Sequence, residues 1–141
     1  MDEFVRWLGE QLDTDAARAE AGCGHGEGRW HHDSSHPNGY VYDENDQPVV
    51  YDESAPLPEE AEHIADWDPA RVLREIDAKQ RLLGKVFAYE AKIDGEWGCC
   101  HDADEIAAGQ CPEIQPKDIT ALRLLALPYV DKPGYREEWA P

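Results

Sequence analysis

Asp68-Pro69 is the clearest helix start in the chain. An Asp carboxylate accepts the orphan amide hydrogens of a helix N-terminus, and Pro at the first helical position lacks an N–H that would go unbonded there anyway. From this point Val72, Leu73, Ile76, Leu83 and Phe87 recur at helical spacing, while Arg71, Arg74, Lys79 and Arg81 fall mostly outside the stripe. A helix with one apolar face must bury it, so the rest of the chain is expected to assemble on this one. Gly84 ends or weakens it. Upstream, Pro58-Glu-Glu-Ala-Glu-His-Ile-Ala predicts a shorter helix that stops or kinks before Pro69.

Other segments follow from their periods. Phe4, Leu8 and Leu12 repeat every four residues, with Val5 beside them and Asp2 as a cap, which predicts a first helix over about residues 2–19. Gly22, Gly24, Gly26 and Gly28 then alternate with Cys23, His25 and Glu27, a composition that cannot hold a helix. Arg29-Trp-His-His, Tyr40-Val-Tyr and Val49-Val-Tyr are β-prone pieces separated by Pro37-Asn-Gly and by Asp43-Glu-Asn-Asp-Gln-Pro, which are turn signals. They predict a small antiparallel meander. Asp94-Gly95 marks a further turn, and Asp102-Ala-Asp-Glu105 has the residue classes of a capping box ahead of a brief helix. Pro116 opens a segment whose Ile119, Leu122, Leu124, Leu125 and Leu127 cover more than one face before Pro128, so this helix is expected to be the most buried. In the tail, Tyr135 and Trp139 can pin the chain across the core.

These elements sum to an α+β fold: a helix-dominated single domain, 1–141, with a small antiparallel β-meander packed on a long helix. Its parts run as an N-terminal helix (1–20), a Gly-rich and acidic loop with the meander (21–57), a helical segment (58–92), a Cys/His loop with a short helix (93–115), and a Leu-rich helix with its pinned tail (116–141). Val72, Leu73, Ile76, Leu83, Leu122 and Leu125 are expected to form one core.

Charge narrows the function. Thirteen Lys and Arg stand against 31 Asp and Glu, a formal net charge of −18, which repels nucleic-acid phosphates and anionic membrane surfaces. No Lys or Arg occurs from Trp30 through Ala70. That stretch reads either as a solvated, solubilising face or as a surface for a basic partner. The N-terminus lacks the basic start and apolar run of a signal peptide, and no apolar run reaches the length of a membrane span, so a cytoplasmic location is expected.

In a reducing compartment Cys23, Cys99, Cys100 and Cys111 are plain thiols or metal ligands. Cys99-Cys100-His101, followed ten residues later by Cys111, supplies soft thiolates and an imidazole within one short loop and helix, which suits a tetrahedral structural zinc. The candidate ligands are Cys99, His101 and Cys111, with Cys100 as the alternate for Cys99. His63, His25 or Cys23 is a fourth ligand only if folding brings one near. Cys23 and His25, with His31, His32 and His36 soon after, lie in a loose glycine loop that offers a poor second shell. His63 reads as a half-buried histidine with a hydrogen-bond partner. There is no Gly-x-Ser-x-Gly elbow, no Cys-His protease signature and no phosphate-binding Gly-x-x-x-x-Gly-Lys, so no catalytic residue and no nucleotide site is nominated.

Three segments carry a resemblance: His63-Ile-Ala-Asp-Trp-Asp-Pro-Ala-Arg-Val-Leu-Arg, Leu122-Arg-Leu-Leu-Ala-Leu-Pro-Tyr, and Lys132-Pro-Gly-Tyr-Arg-Glu-Glu-Trp139. Together they resemble a family of small acidic proteins from actinobacteria and their bacteriophages that is known only as a domain of unknown function. The resemblance spans the N-terminal helix and most of the chain from residue 60 onward, and leaves out residues 20–57. It implies a bacterial or phage-infected cytoplasm and no particular reaction. Many relatives carry cysteines between the long helix and the Leu-rich helix, where this chain has Cys99, Cys100, His101 and Cys111.

The resulting expectation is a non-enzymatic accessory protein that acts by binding another protein, to which the acidic stretch offers a surface for a basic partner, without direct contact with nucleic acid or membrane. Two alternatives differ in mechanism. One is a DNA mimic whose carboxylates occupy the basic groove of a DNA-binding protein. The other is a small zinc-dependent enzyme with an open metal position.

Overall fold

The protein is described from a computed structural model, which covers residues 2–35, 39–51, 56–90, 92–93, 96–97 and 101–141, with side chains for 2–35, 39–51, 56–84 and 101–141. Helix α1 spans Glu3–Gly22, α2 Pro58–Asp66, α3 Pro69–Glu90, α4 Ala103–Ala107 and α5 Thr120–Ala126. Strands β1 (Trp30–His32), β2 (Val41–Asp43) and β3 (Pro48–Val50) form one antiparallel sheet in that order. A two-stranded ladder pairs β4 (Lys92–Ile93) with β5 (Glu96–Trp97). Asp94-Gly95, the turn expected between them, lies outside the described residues. The architecture is the helix-dominated α+β fold expected from the sequence. The chain divides into two compact units, residues 1–13 with 78–141, and residues 14–77. The division falls inside α1 and inside α3.

In the unit of residues 14–77, Asp68 does what its position before Pro69 predicts and more. Its Oδ1 accepts the Arg71 N–H at 2.7 Å, capping α3, and its Oδ2 accepts the Trp30 N–H at 3.1 Å, tying β1 to the start of that helix. The Ala70 N–H donates to the Gly28 carbonyl at 3.0 Å. Only glycine fits at position 28: its φ is +76°, and a Cβ there would lie 2.5 Å from Cys23 Sγ and 2.8 Å from Pro69 Cβ. Strands β1 and β2 pair His31 with Tyr42 and His32 with Val41, and both lie against α2, where Val41 and Ala61 are fully buried.

In the other unit, Phe4, Trp7, Leu8 and Leu12 of α1 supply one wall of an aromatic core. The Trp139 ring stacks on Phe4 at 4.8 Å and sits 5.1 Å from Trp7, while Tyr129 and Tyr135 meet Trp7 edge-on or tilted at 6.4 and 5.7 Å. The Trp7 indole N–H donates to the Pro133 carbonyl at 3.0 Å. Gly134 makes room for that ring, with φ +85° and a would-be Cβ only 3.0 Å from Trp7 Nε1. Tyr135 and Trp139 thus pin the tail as expected, with Trp7 at the centre.

Two core expectations need correction. Of the six residues assigned to one core, Ile76 and Leu122 are buried, but Val72, Leu73, Leu83 and Leu125 are only half-buried. The Leu-rich helix is not the most buried: Leu124 and Leu127 are 52% and 42% exposed. Within residues 1–13 and 78–141 the physical reason is volume, since the large buried side chains there are Phe4, Trp7, Tyr129 and Trp139 rather than Leu124 and Leu127.

Candidate metal centre

Helix α4 is five residues long, too short to hold its shape by propensity, and is fixed by its ends. At the N-terminus the Asp102 carboxylate accepts the Glu105 N–H and the Glu105 carboxylate accepts the Asp102 N–H, each at 2.9 Å, completing the capping box read from the sequence. At the C-terminus Gly109 adopts φ +72°, its N–H donates to the Ile106 carbonyl and the Gln110 N–H donates to the Glu105 carbonyl. Those are the two bonds of a Schellman motif, which reverses the chain. His101 precedes the cap and Cys111 follows the reversal, so a single rigid turn of helix brings them to the same place.

His101, Cys111 and Glu113 offer donor atoms that all lie within 4.8 Å of one another. Cys111 Sγ donates to Glu113 Oε2 at 3.4 Å, and His101 Nδ1 is 4.0 Å from the same oxygen. Around a tetrahedral zinc with ordinary bond lengths, neighbouring ligand atoms stand about 3.3–3.6 Å apart. The sulfur–oxygen separation already has that value, and the others, at most 4.8 Å, need to contract by up to about 1.2–1.5 Å. Cys111 is fully buried. Its sulfur also accepts the Ile114 N–H at 3.3 Å, and the Gln115 side-chain amide donates to the Cys111 carbonyl. An N–H directed at sulfur stabilises the thiolate that a metal requires, the outer-shell support typical of metal ligands. This cluster can hold a metal ion.

Of the expected ligands, His101 and Cys111 converge, while Cys99 and its alternate Cys100 lie outside the described residues. Glu113 was not foreseen. Its only signal was a position two residues from Cys111, and in a chain with 31 acids no single Glu stands out. Cys23, His25 and His63 join no such group among the described residues. Cys23 donates its thiol hydrogen to the Ala19 carbonyl at 3.4 Å, and His63 is exposed rather than half-buried, its ring 6.1 Å from Trp67. His31 stacks on Tyr42 and faces Asp46 at 3.4 Å. His36 lies outside the described residues.

The acidic stretch is less free than its composition suggests. Asp43 accepts the Asn45 and Gln47 N–H groups at 2.9 and 2.8 Å, shaping the β2–β3 turn. Glu44 accepts the N–H groups of Glu27 and Arg29 and is held below the usual carboxylate range, first by the Glu27 bond. Asp33 accepts the Ser35 N–H, Glu60 the Leu57 N–H, and Asp68 is the cap described above. Glu59, Glu62 and Asp66 remain exposed on α2. Among the described residues, no helix is long and apolar enough to cross a membrane.

Compared with known proteins, residues 1–141 match the model of DUF6221, described as a family of unknown function. The match takes in residues 20–57, beyond the segments that carry the resemblance in the sequence. No curated protein and no solved structure matches the chain.

Proposed function

The chain belongs to DUF6221, a family of unknown function, and we propose that it is a non-enzymatic accessory protein that binds another protein, with a structural zinc fastening the loop around α4. The observation that carries the zinc reading is the convergence of a thiol, an imidazole and a carboxylate within 4.8 Å around a fully buried sulfur. Mixed sulfur, nitrogen and oxygen donors suit zinc, whereas calcium and magnesium select oxygen alone. Cys99 is the fourth ligand that the sequence offers, and a closed set of four protein ligands distinguishes a structural zinc from a catalytic one. His101 and Cys111 would bind through a neutral imidazole nitrogen and a thiolate, and Glu113 through a carboxylate oxygen. The role of the ion is to lock the reversal after α4, which caps alone hold.

Metal analysis of protein prepared without a His tag tests the zinc reading. The expected result is about one equivalent of zinc, a melting temperature markedly lowered by a chelator, and loss of both properties in Cys111→Ala. Less than about a tenth of an equivalent, with no chelator effect on melting, returns these residues to ordinary thiol and imidazole roles.

A further inference from the structure

Asp68 sits between two residues that matter jointly. Trp67 forms the C-terminal boundary of α2 and Pro69 the first turn of α3, while the other oxygen of Asp68 holds the Trp30 backbone. One carboxylate therefore ties Trp30 to the helix junction that carries Trp67 and Pro69. With Val72, Ala19 and Gly22 they line a concavity of about 280 Å³, its rim formed by Asp15 and Arg18. Trp67 is 45% exposed, a large apolar ring left in water beside an apolar hollow.

The surroundings select the occupant. Residues 14–77 hold sixteen acidic side chains and four arginines. Three of those arginines are already paired: Arg18 with Asp15 at 3.3 Å, Arg29 with Glu27 at 3.0 Å, and Arg71 with Glu75 at 3.2 Å. On α2, Glu62 and Asp66 are exposed, four residues apart on one helix face next to Trp67, and form no ion pair among the described residues. The Arg71 guanidinium already covers one face of the Trp67 ring, its carbon 4.2 Å from the centroid. Apolar floor and unpaired carboxylates are complementary to a polypeptide that alternates basic and apolar side chains.

We propose that the concavity between Trp30 and Trp67 is the docking site for a basic segment of a partner protein, which seats an apolar side chain on Trp30, Pro69 and Val72 and its Lys or Arg neighbours against Glu62 and Asp66. This rests on the protein-binding role proposed above and names its place and its partner's chemistry. Buried aromatic anchors supply affinity at such sites, and flanking charges supply association rate and salt sensitivity.

The test is calorimetric titration with a short synthetic peptide that alternates Arg, Lys and Leu, and with its counterpart in which Glu replaces every Arg and Lys. The basic peptide is expected to bind, the acidic one not. Trp67→Ala should weaken binding about tenfold or more, and Val72→Arg, which places a like charge in the hollow, should do the same if Trp67→Ala loosens α2. The pair Glu62→Gln and Asp66→Asn should flatten the salt dependence. Equal binding to parent, Trp67→Ala and Val72→Arg overturns the concavity and leaves a binding role elsewhere on the acidic surface. No binding of the basic peptide to the parent overturns the basic occupant itself, whereas the zinc reading is untouched by either result.

Discussion

Residues 1–13 with 78–141 bury Phe4, Trp7, Leu8, Leu12, Ile106, Ile119, Leu122, Tyr129 and Trp139, whereas among the described residues of 14–77 the buried apolar side chains are Ala19, Val41, Ala61, Pro69 and Ile76. The second unit carries the larger share of the negative charge, and it does not simply expose it. Asp43, Glu44, Glu60 and Asp68 each accept backbone N–H groups, so its turns and helix starts rest on carboxylates; the first unit uses the same device at Asp2, Asp102 and Glu105 but adds a cluster of rings. The two arrangements differ energetically. Burial of a large aromatic side chain contributes about 1.5–3 kcal/mol, while a single hydrogen bond to a solvent-exposed carboxylate, screened by water, contributes less. The acidic unit therefore depends on many small terms, each sensitive to charge, and the aromatic unit on a few large ones that are not.

The strongest way to break this contrast is to remove a ring. Trp139→Ala deletes contacts to Phe4, Trp7 and Tyr135 at once and should cost about 3–5 kcal/mol, read from the denaturation midpoint. A midpoint within experimental error of the parent would mean that the aromatic cluster does not hold this unit together.

Asp68→Ala probes the other unit at its most connected carboxylate. It removes the α3 cap and the acceptor for the Trp30 N–H, and should cost about 1–2 kcal/mol, less than Trp139→Ala. Asp68→Asn keeps an oxygen acceptor and should restore most of the loss. If Asp68→Ala proved as damaging as Trp139→Ala, the division into few large and many small terms would fail.

Much of the fold was legible because it rests on local rules. The Asp68-Pro69 start, the Asp102 and Glu105 box, the three strands and the 43–48 turn depend on residues a few positions apart, while the turn expected at Pro37-Asn-Gly lies partly outside the described residues. The aromatic cluster was only half legible. The spacing of Phe4, Leu8 and Leu12 marked the buried face of α1, but Trp7, three residues after Phe4 on that face, gained its central place from Tyr129, Pro133 and Trp139, more than a hundred residues away. At the candidate metal centre, His101 and Cys111 were legible from their donor chemistry. Glu113 was not, because its importance lies in the direction of one carboxylate after a chain reversal. The same limit applies to the acidic stretch, where composition cannot separate a solvated Glu from one that closes a turn.

The smallest expected effect is also the most specific to the acidic unit. Glu44 is exposed, yet its carboxylate is held below the ordinary value of 4.5, chiefly by the Glu27 N–H, with its own N–H and that of Arg29 adding to the effect. The folded state therefore binds the Glu44 proton less readily than the unfolded state does. The sign follows from linkage: the contribution is fully present above the unfolded value near 4.5 and is lost as pH falls through the lower folded value. Glu44→Gln should lower the melting temperature slightly at neutral pH, and the gap between parent and variant should close on acidification. Carboxyl NMR should place the Glu44 titration below the ordinary value of 4.5. A midpoint at or above the ordinary value, or a gap that persists through acidification, would detach Glu44 from the Gly26–Arg29 backbone and make it one more solubilising charge.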